Sequence, residues 1–190
     1  MLDNLDTINW SEMRESYGAS AARVPELIRS LLSEDQMIRD KAHDQLSRAI
    51  NNTYIVGTAS LAAIPFLIKL LEFDETPDKA KVLFLLGEML VYPVDVARPD
   101  AQLRVDVATA IWTGFDIYVR LLRHNTEGKV QYFAASLLFE LRCFPAEFDE
   151  RLQHLYAEIR ANPPDEELIQ EFPKWDKIWL DSATGEDENE

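Results

Sequence analysis

The segment Val24-Pro25-Glu26-Leu27-Ile28-Arg29-Ser30-Leu31-Leu32 returns forty residues later as Ile64-Pro65-Phe66-Leu67-Ile68-Lys69-Leu70-Leu71. In each copy the apolar residues fall in adjacent pairs one turn apart, which makes one face of an α-helix. Each copy is followed by acids and then by a second amphipathic stretch. A period of about 40 residues, each holding two helices, is the mark of a stacked helical repeat. A unit of that kind cannot bury its apolar face alone, so the repeat demands neighbours on both sides and a cap at each end.

The rest of the chain can be laid out on that period. Trp10, Met13 and Tyr17 stand at helical spacing before Gly18, which predicts a short N-terminal capping helix stopped by the glycine. The first helix of repeat one spans about 22–32, with Pro25 in a first turn where its missing N–H costs nothing. Ser33-Glu34-Asp35-Gln36 supplies a turn and an N-cap. A second helix then carries Ile38, Ala42, Leu46, Ala49 and Ile50 inward and ends at Asn51-Asn52-Thr53.

Repeat two places its helices at about 61–73 and 78–92. Pro93 and Pro99 forbid a helix through the next eight residues, so a loop is expected there. In repeat three, Tyr118-Val119-Arg120-Leu121-Leu122 lies over Leu67 to Leu71 at an offset of 51, on a helix that begins as early as Gln102. Its partner covers 129–144, one more helix covers 147–161, and a last one starts at Asp165. The fold class expected is all-α, an α-solenoid of about three helix pairs with capping helices. Residues 1–181 form its one domain and 182–190 an acidic, disordered tail.

Beside this reading of the residues stands a likeness. Asp35 in the turn, Arg39 opening the second helix, then Ala42 and Leu46 resemble a HEAT repeat, with Lys79 and Lys129 near the same basic position in the later copies. The order Trp10, Tyr17-Gly18, Val24-Pro25, Gly57-Thr58 and Ile64-Pro65-Phe66-Leu67 is similar to a group of small bacterial HEAT-like proteins, although Val56 stands where that group has Gln. The resemblance implies an α-solenoid and, for some relatives, an immunity protein that neutralises a toxin. It carries over no catalytic residue.

Charge narrows the partner. The chain has 34 acids against 19 Lys and Arg, a net charge of −15. Such a surface repels phosphate backbones and attracts a basic protein, so no nucleic-acid partner is expected. No run of apolar residues approaches the ~20 of a membrane span, and a soluble, cytoplasmic protein without membrane contact is expected. Cys143 is the one cysteine, which leaves neither a disulfide nor a thiolate cluster. His43, His124 and His154 share no ligand spacing, and the six glycines form no phosphate loop. The expectation is therefore no enzyme, no metal and no cofactor.

In a helix-pair stack the second helices line one surface, and the offsets of 40 and 51 align their positions into columns. Lys41, Lys81 and Tyr132 make one; Asp44, Phe84 and Ala135 the next; Arg48, Glu88 and Phe139 a third; Asn52, Tyr92 and Cys143 a fourth. Tyr and Phe in such a stripe are the residue types that anchor partners. Lys41, Asp44, Arg48, Asn52, Lys81, Phe84, Glu88, Tyr92, Tyr132 and Phe139 are the expected partner-binding residues. The function expected is a protein-binding module that neutralises a basic partner. The alternatives are a scaffold subunit of a larger assembly or a HEAT-like enzyme such as a pigment lyase.

Overall fold

The computed structural model describes residues 2–52, 55–90, 100–141 and 149–161. Eight α-helices carry them: α1 (Val24–Ser30), α2 (Gln36–Ile50), α3 (Thr58–Glu72), α4 (Lys79–Glu88), α5 (Ala101–Trp112), α6 (Phe115–His124), α7 (Gly128–Glu140) and α8 (Asp149–Ala161). The all-α expectation holds for these residues. The strand content among them is one antiparallel pair, β1 (Asn51–Asn52) against β2 (Ile55–Val56), with Asn51 opposite Val56.

Local chemistry sets several boundaries. Pro25 lies in the first turn of α1. Asp35 caps α2, its carboxylate accepting from the Met37 N–H at 2.8 Å. At the start of α3 the Ser60 hydroxyl accepts from the Gly57 N–H at 2.9 Å and donates to the Ile50 carbonyl. Those two hydrogen bonds tie the end of α2 to the start of α3, and the helix starts at Thr58, upstream of residue 61. Pro65 consequently lies inside α3 rather than in its first turn.

Neighbours in sequence pack as pairs, α1 on α2, α3 on α4 and α6 on α7, while α5 lies on α3 and α4 lies against α7. Buried residues from Leu5 to Ile159 form one hydrophobic cluster. Leu67, Leu70 and Leu71, from the repeated segment, have no exposed surface; each contributes roughly 1.5–3 kcal/mol of transfer free energy.

Three expectations are corrected. The N-terminal cap is not a helix. It consists of two 3-10 turns, Leu5–Thr7 and Trp10–Glu12, and a bridge between Arg14 and Ser20, closed by Gly18 at φ 80°. Tertiary bonds outcompete the helix: Ser16 N–H donates to the Ala49 carbonyl, Arg14 N–H to the Thr58 hydroxyl, and Ala59 N–H to the Arg14 carbonyl. Trp10 is buried, its indole N–H donating to the Leu5 carbonyl at 2.8 Å, while Tyr17 is exposed.

The expected long first helix of repeat three is two helices, broken at Thr113-Gly114. There the Tyr118 ring folds back and its hydroxyl donates to the Ile111 carbonyl at 2.9 Å. A Cβ on residue 114 would lie 2.4 Å from that oxygen. Ile38, expected inward, is 48% exposed because the whole first turn of α2, Gln36 to Ile38, is uncovered. Residues 93–99 of the loop expected at 93–100, the helix from residue 165, and the tail at 182–190 lie outside the described residues.

Candidate functional site

The second helices α2, α4 and α7 lie side by side, and the side chains between them show the register. From α2 to α4, Arg39 Nε donates to Asp78 Oδ2 at 2.5 Å, Lys81 pairs with Asp40, the His43 ring stacks on Phe84 with centroids 6.0 Å apart, and Ser47 Oγ donates to Glu88 Oε2 at 3.0 Å. From α4 to α7, Phe84 meets the edge of Phe133 at 5.5 Å, and Phe133 meets Tyr132 at 5.3 Å.

The columns expected from the repeat offset are therefore turned by one position on α2. Lys81, Phe84 and Glu88 face Asp40, His43 and Ser47, not Lys41, Asp44 and Arg48. One residue is a 100° rotation of an α-helix, enough to carry Lys41, Asp44 and Arg48 out to the exposed side. A period counted between sequence copies cannot resolve that rotation, because the interhelical packing angle decides which flank faces the neighbour. On α7 the residue that meets Phe84 is Phe133, where the offset placed Ala135. Ala135 and Phe139 are buried, and Phe139 packs on Tyr156 of α8 with centroids 6.0 Å apart. Phe139 is a core residue rather than a surface contact. Asn52 is in β1, which directly follows α2, and Tyr92 and Cys143 lie outside the described residues.

Phe84, Lys81, Glu88 and Tyr132 are brought together. Phe84 is 39% exposed, one of few large apolar side chains at the surface among the described residues. It stands on the ridge between two open hollows. The larger, about 450 Å³, has His43, Lys81, Lys129 and Phe133 in its walls with Asp78 and Glu127; the smaller, about 200 Å³, has Glu88, Tyr132, Phe133, Ser136 and Glu140. Sequence reasoning missed His43, Phe133, Ser136 and Glu140. The signal for Phe133 was its place beside Tyr132, but an aromatic pair on a helix does not say which member faces out.

The electrostatics differ between the hollows. In the larger one, two lysines balance Asp78 and Glu127. The Lys81 ammonium, hydrogen-bonded to Asp40, holds that carboxyl below its usual range. Its share of stability is present at neutral pH and is lost as pH falls through the lowered value. Glu88 behaves in the opposite sense. Half-burial pushes its carboxyl above the usual range, against the hydrogen bond from Ser47 and the pull of His43. The Ser47 hydroxyl is its hydrogen-bond partner among the described residues, and no ion pair there includes it. The Nε2 atom of His43 is buried and makes no hydrogen bond among the described residues.

His43, His124 and His154 do not converge, and among the described residues no group of three His, Cys, Asp or Glu side chains is placed to hold a metal ion. No described helix is long and apolar enough to cross a membrane. Set against protein-family models, curated proteins and solved structures, the chain matches none of them.

Proposed function

We propose that the chain is a HEAT-like α-solenoid that works as a non-catalytic protein-binding module, and that the face made by α2, α4 and α7 receives a basic partner. The observation that carries this reading is Phe84, an exposed aromatic set between two hollows and backed by His43, Phe133 and Tyr132. Aromatic side chains in a hollow supply contact area at small entropic cost and are enriched where binding energy concentrates. The alternation of helix pairs supports the solenoid: α4 lies beside both α2 and α7, while α3 touches α1, α5 and α6. The net charge of −15 gives the direction of attraction, since a surface of one sign steers the opposite sign to it. A basic toxin-like protein neutralised by occupation of its own site fits this arrangement, with the cytoplasm as the expected setting.

The test is a capture experiment from host lysate at low salt and again at about 0.5 M salt, where the Debye length is short, run in parallel with Phe84→Ala. The expected result is one small basic protein, weakened by salt and lost with Phe84→Ala. Capture that is indifferent to Phe84, or a salt-resistant assembly of many subunits, would sink the reading.

A further inference from the structure

The smaller hollow differs from its neighbour in one respect that bears on what it takes. Its charged lining is acidic, Glu88 from α4 and Glu140 from α7, and no Lys or Arg among the described residues lines it. Its other walls include the rings of Phe84, Tyr132 and Phe133, with Phe133 edge to face against both neighbours, beside Leu83, Ser136 and Leu137. Carboxylates beside aromatic rings form the environment that a planar cation seeks, because the ring faces are negative and the carboxylates accept from a fork of donors. We propose that this hollow is a subsite for a guanidinium group, the side chain of one arginine on the basic partner. The proposal rests on the reading of this face as a binding surface and specifies its chemistry.

Glu88 provides the energetic reason. It is half-buried with a single hydroxyl donor, and its carboxylate is disfavoured by lost hydration. A guanidinium in the hollow would restore a counter-charge and donate to it, so binding and ionisation of Glu88 favour each other. Arginine suits the site better than lysine. Its guanidinium is less strongly hydrated, stacks on rings and can donate to two acceptors at once, whereas an ammonium must give up a tight hydration shell to lie against Phe84. Among the described residues, His43 from α2 acts on Glu88, and Glu140 and Tyr132 from α7 line the same hollow.

The probe is N-acetyl-arginine methylamide, with the citrulline and lysine analogues as neutral and ammonium controls, titrated into the full ¹⁵N-labelled chain from pH 4 to pH 8. Expected is a saturable shift of the amides around Phe84, Glu88, Tyr132 and Phe133, at about millimolar concentration as befits so small a ligand. The citrulline analogue should give none. Binding should strengthen as pH rises through the raised Glu88 value. Glu88→Gln, which keeps the shape and the Ser47 bond, should weaken binding about tenfold and flatten the acidic limb of the profile. Equal binding of citrulline or of lysine, shifts located elsewhere, or an unchanged Glu88→Gln profile would overturn the proposal. Failure of the subsite is separable from failure of the binding face: capture of a partner that is lost with Phe84→Ala but unaffected by Glu88→Gln refutes only the arginine subsite.

Discussion

At the scale of single residues, burial separates side chains that look alike in the sequence. Phe84 and Phe139 both stand in the expected binding stripe, yet Phe139 has 4% of its surface exposed and Phe84 ten times that. Phe139→Ala should cost about 3–5 kcal/mol, the loss of a buried ring plus its cavity, and Phe84→Ala about 1 kcal/mol, the value of its ring contacts. Urea titrations of the two variants check the contrast. Gly114→Ala drives a methyl group into the Tyr118 ring, an overpacking penalty of about 1–3 kcal/mol visible as a lowered Tm.

Glu88 makes a pH prediction whose sign is set by its raised value. The folded state holds the Glu88 proton more tightly than the unfolded chain does. Ionisation therefore penalises folding, and the penalty grows as pH rises from the ordinary carboxyl value through the raised one. Glu88→Gln should match the parent chain near pH 4 and exceed it in stability at pH 8. Denaturant midpoints at the two pH values decide the matter; a variant weaker at pH 8 would contradict the burial argument.

At the scale of elements, the sequence signals that proved readable were those with a local cause. Pro25 at the start of α1, Asp35 capping α2 and the apolar face of Ala42, Leu46, Ala49 and Ile50 all act within one helix, and each is found where the pattern placed it. The N-terminal segment failed the same treatment because its backbone groups bond to α2 and α3, more than thirty residues away. Arg39 joins elements in a way its sequence position does not disclose. Its guanidinium donates to Asp78 at the head of α4 and to the Ser33 and Glu34 carbonyls of the turn before α2. Arg39→Met keeps an unbranched apolar stem and removes the guanidinium from Asp78 and both carbonyls. The expected loss is about 2–3 kcal/mol, since a mostly buried charged group stands at the centre of the three bonds. Calorimetry on Arg39→Met and on Asp78→Asn, which should show a smaller loss, tests whether the arginine works through all three.

At the scale of the molecule, charge and shape act together. Under the proposed function, a net charge of −15 would raise the rate of encounter with a basic partner and make that rate fall with salt, and the aromatic contact around Phe84 would set how long the complex lasts. Stopped-flow association should therefore slow steeply between 50 and about 500 mM salt, and Phe84→Ala should act mainly on dissociation. An association rate indifferent to salt would remove charge from the account.

The amino-acid sequence by itself determined that the described chain is helical, where most of its helices lie and, for α1 and most of α2, which side carries the core. These follow from periodicity, proline and capping, and each is decided within about a turn or two of chain. Only the tertiary structure decided that Phe84 meets Phe133 rather than Ala135, that Glu88 takes its hydrogen bond from Ser47 rather than lying beside Arg48, and that Phe139 faces α8 instead of the surface. The physical reason is angular. A repeat period sets the rise from one helix to its counterpart, but a rotation of one residue exchanges an exposed flank for a contact, and that rotation is chosen by how side chains of different size interlock across the interface.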